Sequence, residues 1–268
     1  MKDDPATLVF HRAALGDFAL IWPRLRELAP CGVVSDLAKA RLAARFIDGV
    51  AAESIERPRW NDFWREDMLV DASPRVSRVV CYIADDDSVW ARNARRTFPN
   101  AKIDYRATKP PDRLEEAAWQ PERRPNTTGP IVFHVGAGSN AKRWPLERSI
   151  ALASSLDDPV IMIAGEVERE RFTDHERESF IEIGGQFLDD LDALAGTLSE
   201  ARTVIGFDSG PTHLAAQLGL RTVALFGPTE PGVWAPIGPE VEVIAPPAPT
   251  DDMSWLELDP VLDRLTGR

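Results

Sequence analysis

The sequence predicts an α/β fold made of two Rossmann-like domains. Short runs of β-branched and other apolar residues recur along the chain, and stretches with the apolar spacing of helices separate most of them. This alternation favours βαβ units and parallel sheets. Five prolines between residues 107 and 130 break any long element and indicate a domain boundary. We therefore expect domains at residues 1–115 and 128–268, and a chain of 268 residues is long enough for both.

The first domain is predicted to begin with strand Thr7–Phe10, a loop at 11–16 and a helix from Asp17 to about residue 29. Asp17 would be the N-cap of that helix. It would also follow the carboxyl end of a strand, where open α/β sheets bind ligands, so a functional carboxylate is the alternative. The remaining predicted elements are strands 32–35, 77–83 and Lys102–Tyr105 and helices Leu37–Phe46 and 87–97.

Three aromatic residues, Trp60, Phe63 and Trp64, lie in an irregular stretch of this domain. Exposed rings could form an aromatic shelf for a ligand, whereas rings at this spacing more often belong to a hydrophobic core.

The second domain is predicted to begin with a strand at 131–135 and a loop of small residues that ends at Ser139. Such a loop lets phosphate approach the backbone, although many loops of this composition bind nothing. Glu166 and Glu168 follow strand Val160–Ala164, and each could accept hydrogen bonds from ribose or be the first-turn acid of the next helix. The remaining predicted elements are helices 146–156, 190–198 and 259–265 and a strand at 180–183.

A strand, a turn and a helix between residues 203 and 219 form the strongest local pattern. Strand Thr203–Phe207 is followed by small residues and by Pro211, which suits the first turn of a helix. Free backbone N–H groups and the positive end of the helix dipole converge at such a turn, so it predicts a seat for phosphate or diphosphate. The residues expected around this seat are Asp208, Ser209, Gly210, Thr212 and His213.

The charge of the chain limits its partners. The net charge of −12 argues against nucleic acid. Residues 128–268 carry 10 Lys+Arg against 23 Asp+Glu, and Lys142 is their single lysine. No apolar run approaches the ~20 residues of a membrane span, and the N-terminus lacks the apolar core of a signal peptide, so a cytoplasmic protein is expected.

Three strings of the sequence together resemble glycosyltransferase family nine, the ADP-heptose:lipopolysaccharide heptosyltransferases. In order they are ALGDFALIWPRLREL, IVFHVGAGSNAKRWPLERSIALASSL and FDSGPTHLAAQLGLRTVALFGPTEP. The resemblance is almost continuous over residues 130–238 and is confined to about 8–28 in the first domain. It implies the GT-B arrangement, in which two domains face each other across a cleft.

The resemblance implies an inverting transfer of a sugar, heptose in the family, from an ADP-sugar to a glycan such as a lipopolysaccharide core. Asp17 would be the general base, and neither metal nor cofactor is expected. Lys142, in a Lys-x-Trp-Pro string, would contact donor phosphate, and His213 would do the same. The full set of expected donor-binding residues is Ser139, Lys142, Glu166, Glu168, Asp208, Ser209, Gly210, Thr212 and His213. A lipid-linked acceptor would add peripheral contact with the inner membrane surface.

Two other functions stay open at this point. A nucleotide-sugar epimerase of the same fold would turn over donor without an acceptor. A non-catalytic nucleotide-binding module is suggested by the short first domain, although the retained Asp17 argues against it.

Overall fold

The computed structural model describes residues 6–67, 73, 75–107 and 128–267. The chain separates into two compact units, Met1–Ala118 and Trp119–Arg268. Most of the linker predicted between residues 107 and 130 lies outside the described residues. Within the described ranges, no helix combines the length and the apolar character that crossing a membrane requires.

The first unit contains a five-stranded parallel sheet. The strands are β1 (Thr7–Phe10), β2 (Cys31–Ser35), β3 (Val50–Ser54), β4 (Arg78–Cys81) and β5 (Lys102–Tyr105), in the spatial order β3-β2-β1-β4-β5. The chain runs from β1 through β2 to β3 and then crosses to β4 on the other side of β1, so its winding direction switches between β1 and β4. Open α/β sheets bind ligands at the carboxyl ends of strands beside such a switch point.

Short helices connect these strands. The helices are α1 (Leu15–Leu20), α2 (Trp22–Leu28), α3 (Leu37–Phe46), α4 (Pro58–Asn61) and α5 (Val89–Thr97), with a 3-10 turn at Asp62–Trp64. Helices α3 and α5 begin with side-chain caps, since Asp36 and Ser88 accept hydrogen bonds from their first-turn N–H groups.

The predicted helix at Asp17 needs correction. It begins earlier, at Leu15, and is divided at Ile21, because Pro23 has no N–H with which to continue the hydrogen-bond ladder of α1. Asp17 therefore lies in the first turn of α1, and the N-cap is Ala14. The N-cap prediction for Asp17 is wrong.

The second unit contains a six-stranded parallel sheet. The strands are β6 (Ile131–His134), β7 (Val160–Ala164), β8 (Gln186–Phe187), β9 (Thr203–Phe207), β10 (Arg221–Leu225) and β11 (Val241–Ile244), in the spatial order β11-β10-β9-β6-β7-β8. Strand β9 lies on the opposite side of β6 from β7, so β6 and β9 flank the switch point of this sheet. The prediction of two Rossmann-like α/β domains is confirmed.

The helices of the second unit include one stretch that was predicted as a strand. The strand predicted at 180–183 is wrong, because a capping box of Thr173 and Glu176 starts a helix that runs to Glu182. The helices are α6 (Leu146–Ser154), α7 (Glu166–Arg171), α8 (Asp174–Glu182), α9 (Leu191–Glu200), α10 (Gly210–Gln217), α11 (Pro231–Trp234) and α12 (Asp259–Thr266), with a 3-10 turn at Asn140–Lys142.

Candidate functional site

Asp208 lies where β9 ends and α10 begins, and three side chains contact its carboxylate. Lys142 Nζ is 2.7 Å and Thr229 Oγ1 is 2.8 Å from Oδ2, and His213 Nε2 is 3.3 Å from Oδ1. Burial alone would raise the pKa of Asp208, but the hydrogen bonds and charges of His213 and Lys142 outweigh it and lower the pKa to about 2. Asp208 is therefore a buried carboxylate that holds a lysine and a histidine in place.

The loop after β6 brings Lys142 to this position. The loop passes through small residues and then the 3-10 turn, in which the N–H of Lys142 donates to the carbonyl of Ser139 at 3.1 Å. Ser139 is half-buried and immediately precedes that turn. The ammonium group, whose side chain is 29% exposed, thus lies beside the start of α10 while remaining open to solvent.

Helix α10 begins with backbone donors that its own geometry leaves unpaired. The first four N–H groups of any α-helix lack intrahelical partners. In α10 these include Gly210 and Thr212, whereas Pro211 has no N–H. Thr212 is fully buried and Gly210 is half-buried, so the N–H of Gly210, Lys142 and the positive end of the helix dipole form the part of the predicted seat that phosphate oxygens can reach.

His213, in the first turn of α10, carries a second unpaired polar group. Its side chain is buried, and because ionised Asp208 only accepts, Nε2 carries the hydrogen that joins the two residues. Nδ1 is buried and has no hydrogen-bond partner in the described part of the chain. Buried polar atoms in folded proteins are normally paired, so this nitrogen marks a position for a ligand or a water molecule.

A chain of buried hydrogen bonds runs beneath the seat. His134 Nδ1 is 3.1 Å from Ser209 Oγ, which is 3.0 Å from Thr212 Oγ1. Thr212 Oγ1 in turn donates to the carbonyl oxygen of Phe207 at 2.7 Å. Gly206 leaves room for Thr212, since a Cβ atom at position 206 would collide with Thr212 Oγ1.

The structure gives Glu166 and Glu168 different environments, which the sequence alone does not distinguish. Glu168 is buried, and its two carboxylate oxygens accept the N–H groups of Ala137 and Gly165, each at 3.1 Å. A Cβ atom at Gly136 would collide with the same carboxyl group. Glu166 lies in the first turn of α7 and is exposed. Glu168 thus ties together the loops after β6 and β7, whereas Glu166 is available to a ligand.

The residues predicted to bind a donor gather at one edge of the second sheet. They follow the carboxyl ends of the neighbouring strands β9, β6 and β7, and Thr229 follows β10. Sequence reasoning assigned no role to Thr229 or His134. Both residues lie inside the sequence strings quoted above, and their position in those strings is the signal that could have identified them as site residues.

Asp17 belongs to the first unit, at the carboxyl edge of that unit's own sheet. Its side chain is half-buried and makes no hydrogen bond or ion pair within the described residues of the chain. A carboxylate in this state is free to accept a proton from a ligand.

A cavity of about 310 Å³ opens at the same edge of the first sheet. Trp64, which is 48% exposed, contributes to its wall, whereas Trp60 and Phe63 are buried in the core against Phe10. The core interpretation is therefore correct for two of the three aromatic residues. The lining residues are Arg12, Ala13, Ile55, Trp64, Tyr82 and Ile83.

Comparisons with known proteins agree with the resemblance. The family model for glycosyltransferase family 9 (heptosyltransferase) matches residues 74–253, which leaves Asp17 outside the match. Lipopolysaccharide heptosyltransferase 1 of Escherichia coli (strain K12) is 29% identical over 139 residues, which are 51% of this chain and 43% of that protein. Lipooligosaccharide heptosyltransferase 2 of Haemophilus ducreyi is 30% identical over 119 residues, 39% of this chain and 33% of that protein. The matches span less than half the length of these curated relatives.

Solved structures share the fold over nearly the whole chain. E. coli heptosyltransferase WaaC with ADP has a TM-score of 0.67 at 18% identity and covers 97% of this chain and 99% of its own. E. coli ADP-heptose lps heptosyltransferase II has a TM-score of 0.65 at 18% identity and covers 97% of each chain. Because the family model matches well over half of the residues, the chain belongs to glycosyltransferase family 9.

Proposed function

We propose that this protein transfers a sugar from an ADP-linked donor to a glycan acceptor with inversion at the anomeric carbon. The observation that carries the proposal is the grouping of Lys142, Asp208 and His213 at the start of α10. Family membership and the ADP named in the WaaC structure support ADP as the nucleotide and heptose as the sugar. The names of the relatives support a lipopolysaccharide-core-like acceptor.

The seat at α10 would stabilise the departing diphosphate. Negative charge grows on the leaving group during transfer, and fixed donors that await this charge lower the barrier. Lys142, the backbone N–H of Gly210 and the positive end of the α10 dipole would supply this stabilisation. His213 donates from Nε2 to Asp208, so Nδ1 is the ring atom that remains to pair with a ligand.

Asp208 has a supporting part in this proposal. A carboxylate with a pKa of about 2 is charged at neutral pH and would repel a diphosphate in direct contact. It instead orients Lys142, His213 and Thr229, which surround it. The ribose would be bound by Glu166, whose carboxylate is exposed, while Glu168 keeps the neighbouring loops together.

The acceptor would bind to the first unit, where Asp17 would remove the proton from the attacking hydroxyl. The cavity lined by Arg12 and Trp64 offers an aromatic face and a cation to a sugar ring with an acidic substituent. A single displacement assisted by one base inverts the anomeric centre. This proposal includes no metal and no cofactor. A lipid-linked acceptor would place the reaction in the cytoplasm, at the inner membrane surface.

ADP release from ADP-heptose, measured with and without a lipopolysaccharide-core acceptor, tests the proposal. We expect release that depends on the acceptor and a product with inverted anomeric configuration by NMR. Donor turnover without acceptor would favour an epimerase. ADP binding without any turnover in the presence of a range of glycan acceptors would favour a nucleotide-binding module.

A further inference from the structure

The buried chain of hydrogen bonds under α10 has one possible direction. A carbonyl oxygen only accepts, so the single hydroxyl hydrogen of Thr212 is used on Phe207. The contact between Ser209 and Thr212 then needs the hydrogen of Ser209. That hydrogen being used, the contact between Ser209 and His134 needs a hydrogen on Nδ1 of His134.

The same chain explains why Ser209 does not cap its helix. Serine at an N-cap position normally accepts a hydrogen bond from the N–H of the second or third helical residue. Ser209 is the N-cap of α10 and makes no such bond. The second helical residue is Pro211, which has no N–H, so the N–H that Ser209 would cap is that of Thr212.

We propose that His134 is a positioning residue that keeps the N-terminus of α10 uncapped. By donating from Nδ1, it holds the Ser209 hydroxyl in the buried chain and so leaves the buried N–H of Thr212 unpaired, which preserves the positive end of the helix dipole beside a diphosphate bound at Gly210 and Lys142. Without this donor, the Ser209 oxygen turns toward the Thr212 N–H, caps the helix and weakens that positive end. The identification of the anion as a diphosphate rests on the proposed function, whereas the direction of the hydrogen bonds from His134 to Phe207 does not.

The surroundings of His134 are consistent with this role. The side chain is buried at the end of β6, and burial lowers its pKa to about 4. The ring is therefore neutral at physiological pH and has a single hydrogen to donate. Phe207 is the last residue of β9, and Ser209 lies in the turn that follows it. His134 ends the neighbouring strand β6, so its ring donates from one strand to the turn after the other.

Three variants test the proposal by calorimetry with ADP and adenosine. His134→Leu is expected to weaken ADP binding about fivefold, the usual worth of the interaction between a helix N-terminus and an anion, and to leave adenosine binding unchanged. His134→Asn, whose amide nitrogen lies near the position of Nδ1, is expected to restore ADP binding. Adding Ser209→Ala to His134→Leu is also expected to restore it, because alanine cannot cap the helix. An unchanged ADP affinity in His134→Leu, or no recovery in the other two variants, overturns the proposal.

The tautomer of His134 provides a second test, which does not depend on ADP binding by any variant. Long-range 1H–15N correlation spectra of the unmodified protein distinguish the two neutral tautomers, and the spectrum of His134→Asn assigns the signals among the four histidines. We expect the hydrogen on Nδ1. A hydrogen on Nε2 overturns the proposal even if ADP binds, whereas an Nδ1 hydrogen in a protein that binds no ADP contradicts the proposed function instead.

Discussion

The Nζ atom of Lys142 lies 2.7 Å from Oδ2 of Asp208, although 66 residues separate the two in sequence. The pair joins the loop after β6 to the turn after β9 at the switch point of the second sheet. This ion pair places the single lysine of an acidic half of the chain beside a helix N-terminus.

Lys142→Ala should weaken ADP binding by roughly tenfold to a hundredfold, because a hydrogen bond to a charged group contributes about 1.5–3 kcal/mol. Adenosine binding should hardly change, since adenosine has no phosphate. Calorimetry with both ligands measures the difference, and Lys102→Ala, which removes an exposed lysine of the first unit, is the control. Equal losses for ADP and adenosine would exclude Lys142 from the phosphate seat.

The low pKa of Asp208 predicts a loss of stability in acid. A pKa held at about 2, below the usual 3.8, stabilises the folded second unit at every pH above about 4. This contribution is lost as the pH falls from about 4 through 2, where the folded protein also takes up the proton. Chemical unfolding measured across this range should show a smaller decline for Asp208→Asn than for the parent. Parallel curves for the two proteins would mean that Asp208 titrates normally.

Glu166 and Glu168 form a matched pair for substitution. Glu168→Gln places an amide NH₂ against a backbone N–H donor, so the melting temperature should fall, with a cost of about 1–3 kcal/mol for the unpaired buried group. Glu166→Gln should leave the melting temperature unchanged and weaken ADP and adenosine equally, since both contain ribose. If Glu168→Gln instead weakened ligand binding and Glu166→Gln lowered the melting temperature, Glu168 would be the ribose ligand.

Asp17→Asn should lower the transfer rate by about 10²-fold to 10⁴-fold, the usual range for general-base catalysis. ADP affinity should persist, because Asp17 and the donor residues belong to different units. Loss of a first-turn charge in α1 costs about 0.3–1 kcal/mol, so the melting temperature should change little. Transfer within a few-fold of the parent would show that Asp17 is not the base.

Trp64→Ala should raise the KM for the acceptor about tenfold and leave ADP affinity unchanged, because half of this ring faces solvent beside the cavity. Phe63→Ala is the structural comparison. Phe63 is buried, so its removal should lower stability by about 3–5 kcal/mol. An unchanged acceptor KM in Trp64→Ala would remove this ring from the acceptor site.

Several parts of the fold follow from local sequence alone. Strands Thr203–Phe207 and Val160–Ala164 are continuous apolar runs, and buried parallel strands have this pattern. Strand Val50–Ser54 escaped prediction because it lies at a sheet edge and is only partly buried, so it lacks such a run. The composition of the stretch around Phe180 is typical of a strand. In the structure, however, the stretch ends helix α8, where Phe180 is buried and Ile181 and Ile183 are 59% and 44% exposed.

The candidate site was predictable in its residue types but not in its pairings. Motif position brought Lys142, Asp208 and His213 together as candidates. Their hydrogen-bond partners depend on contacts between strands distant in sequence, which no local pattern encodes. For the same reason, the commitment of Glu168 to two backbone N–H groups became visible only in three dimensions.

A side chain at Gly136 would collide with the Glu168 carboxyl group. This collision restricts the substitutions that positions 136 and 168 tolerate. A Cβ atom at position 136 would push the Glu168 carboxyl group away from the position in which it accepts the N–H groups of Ala137 and Gly165. Loss of the glutamate alone leaves the N–H groups of Ala137 and Gly165 without their acceptor. Either substitution alone should therefore lower stability, and the loss caused by a side chain at position 136 should be smaller once position 168 no longer carries the glutamate.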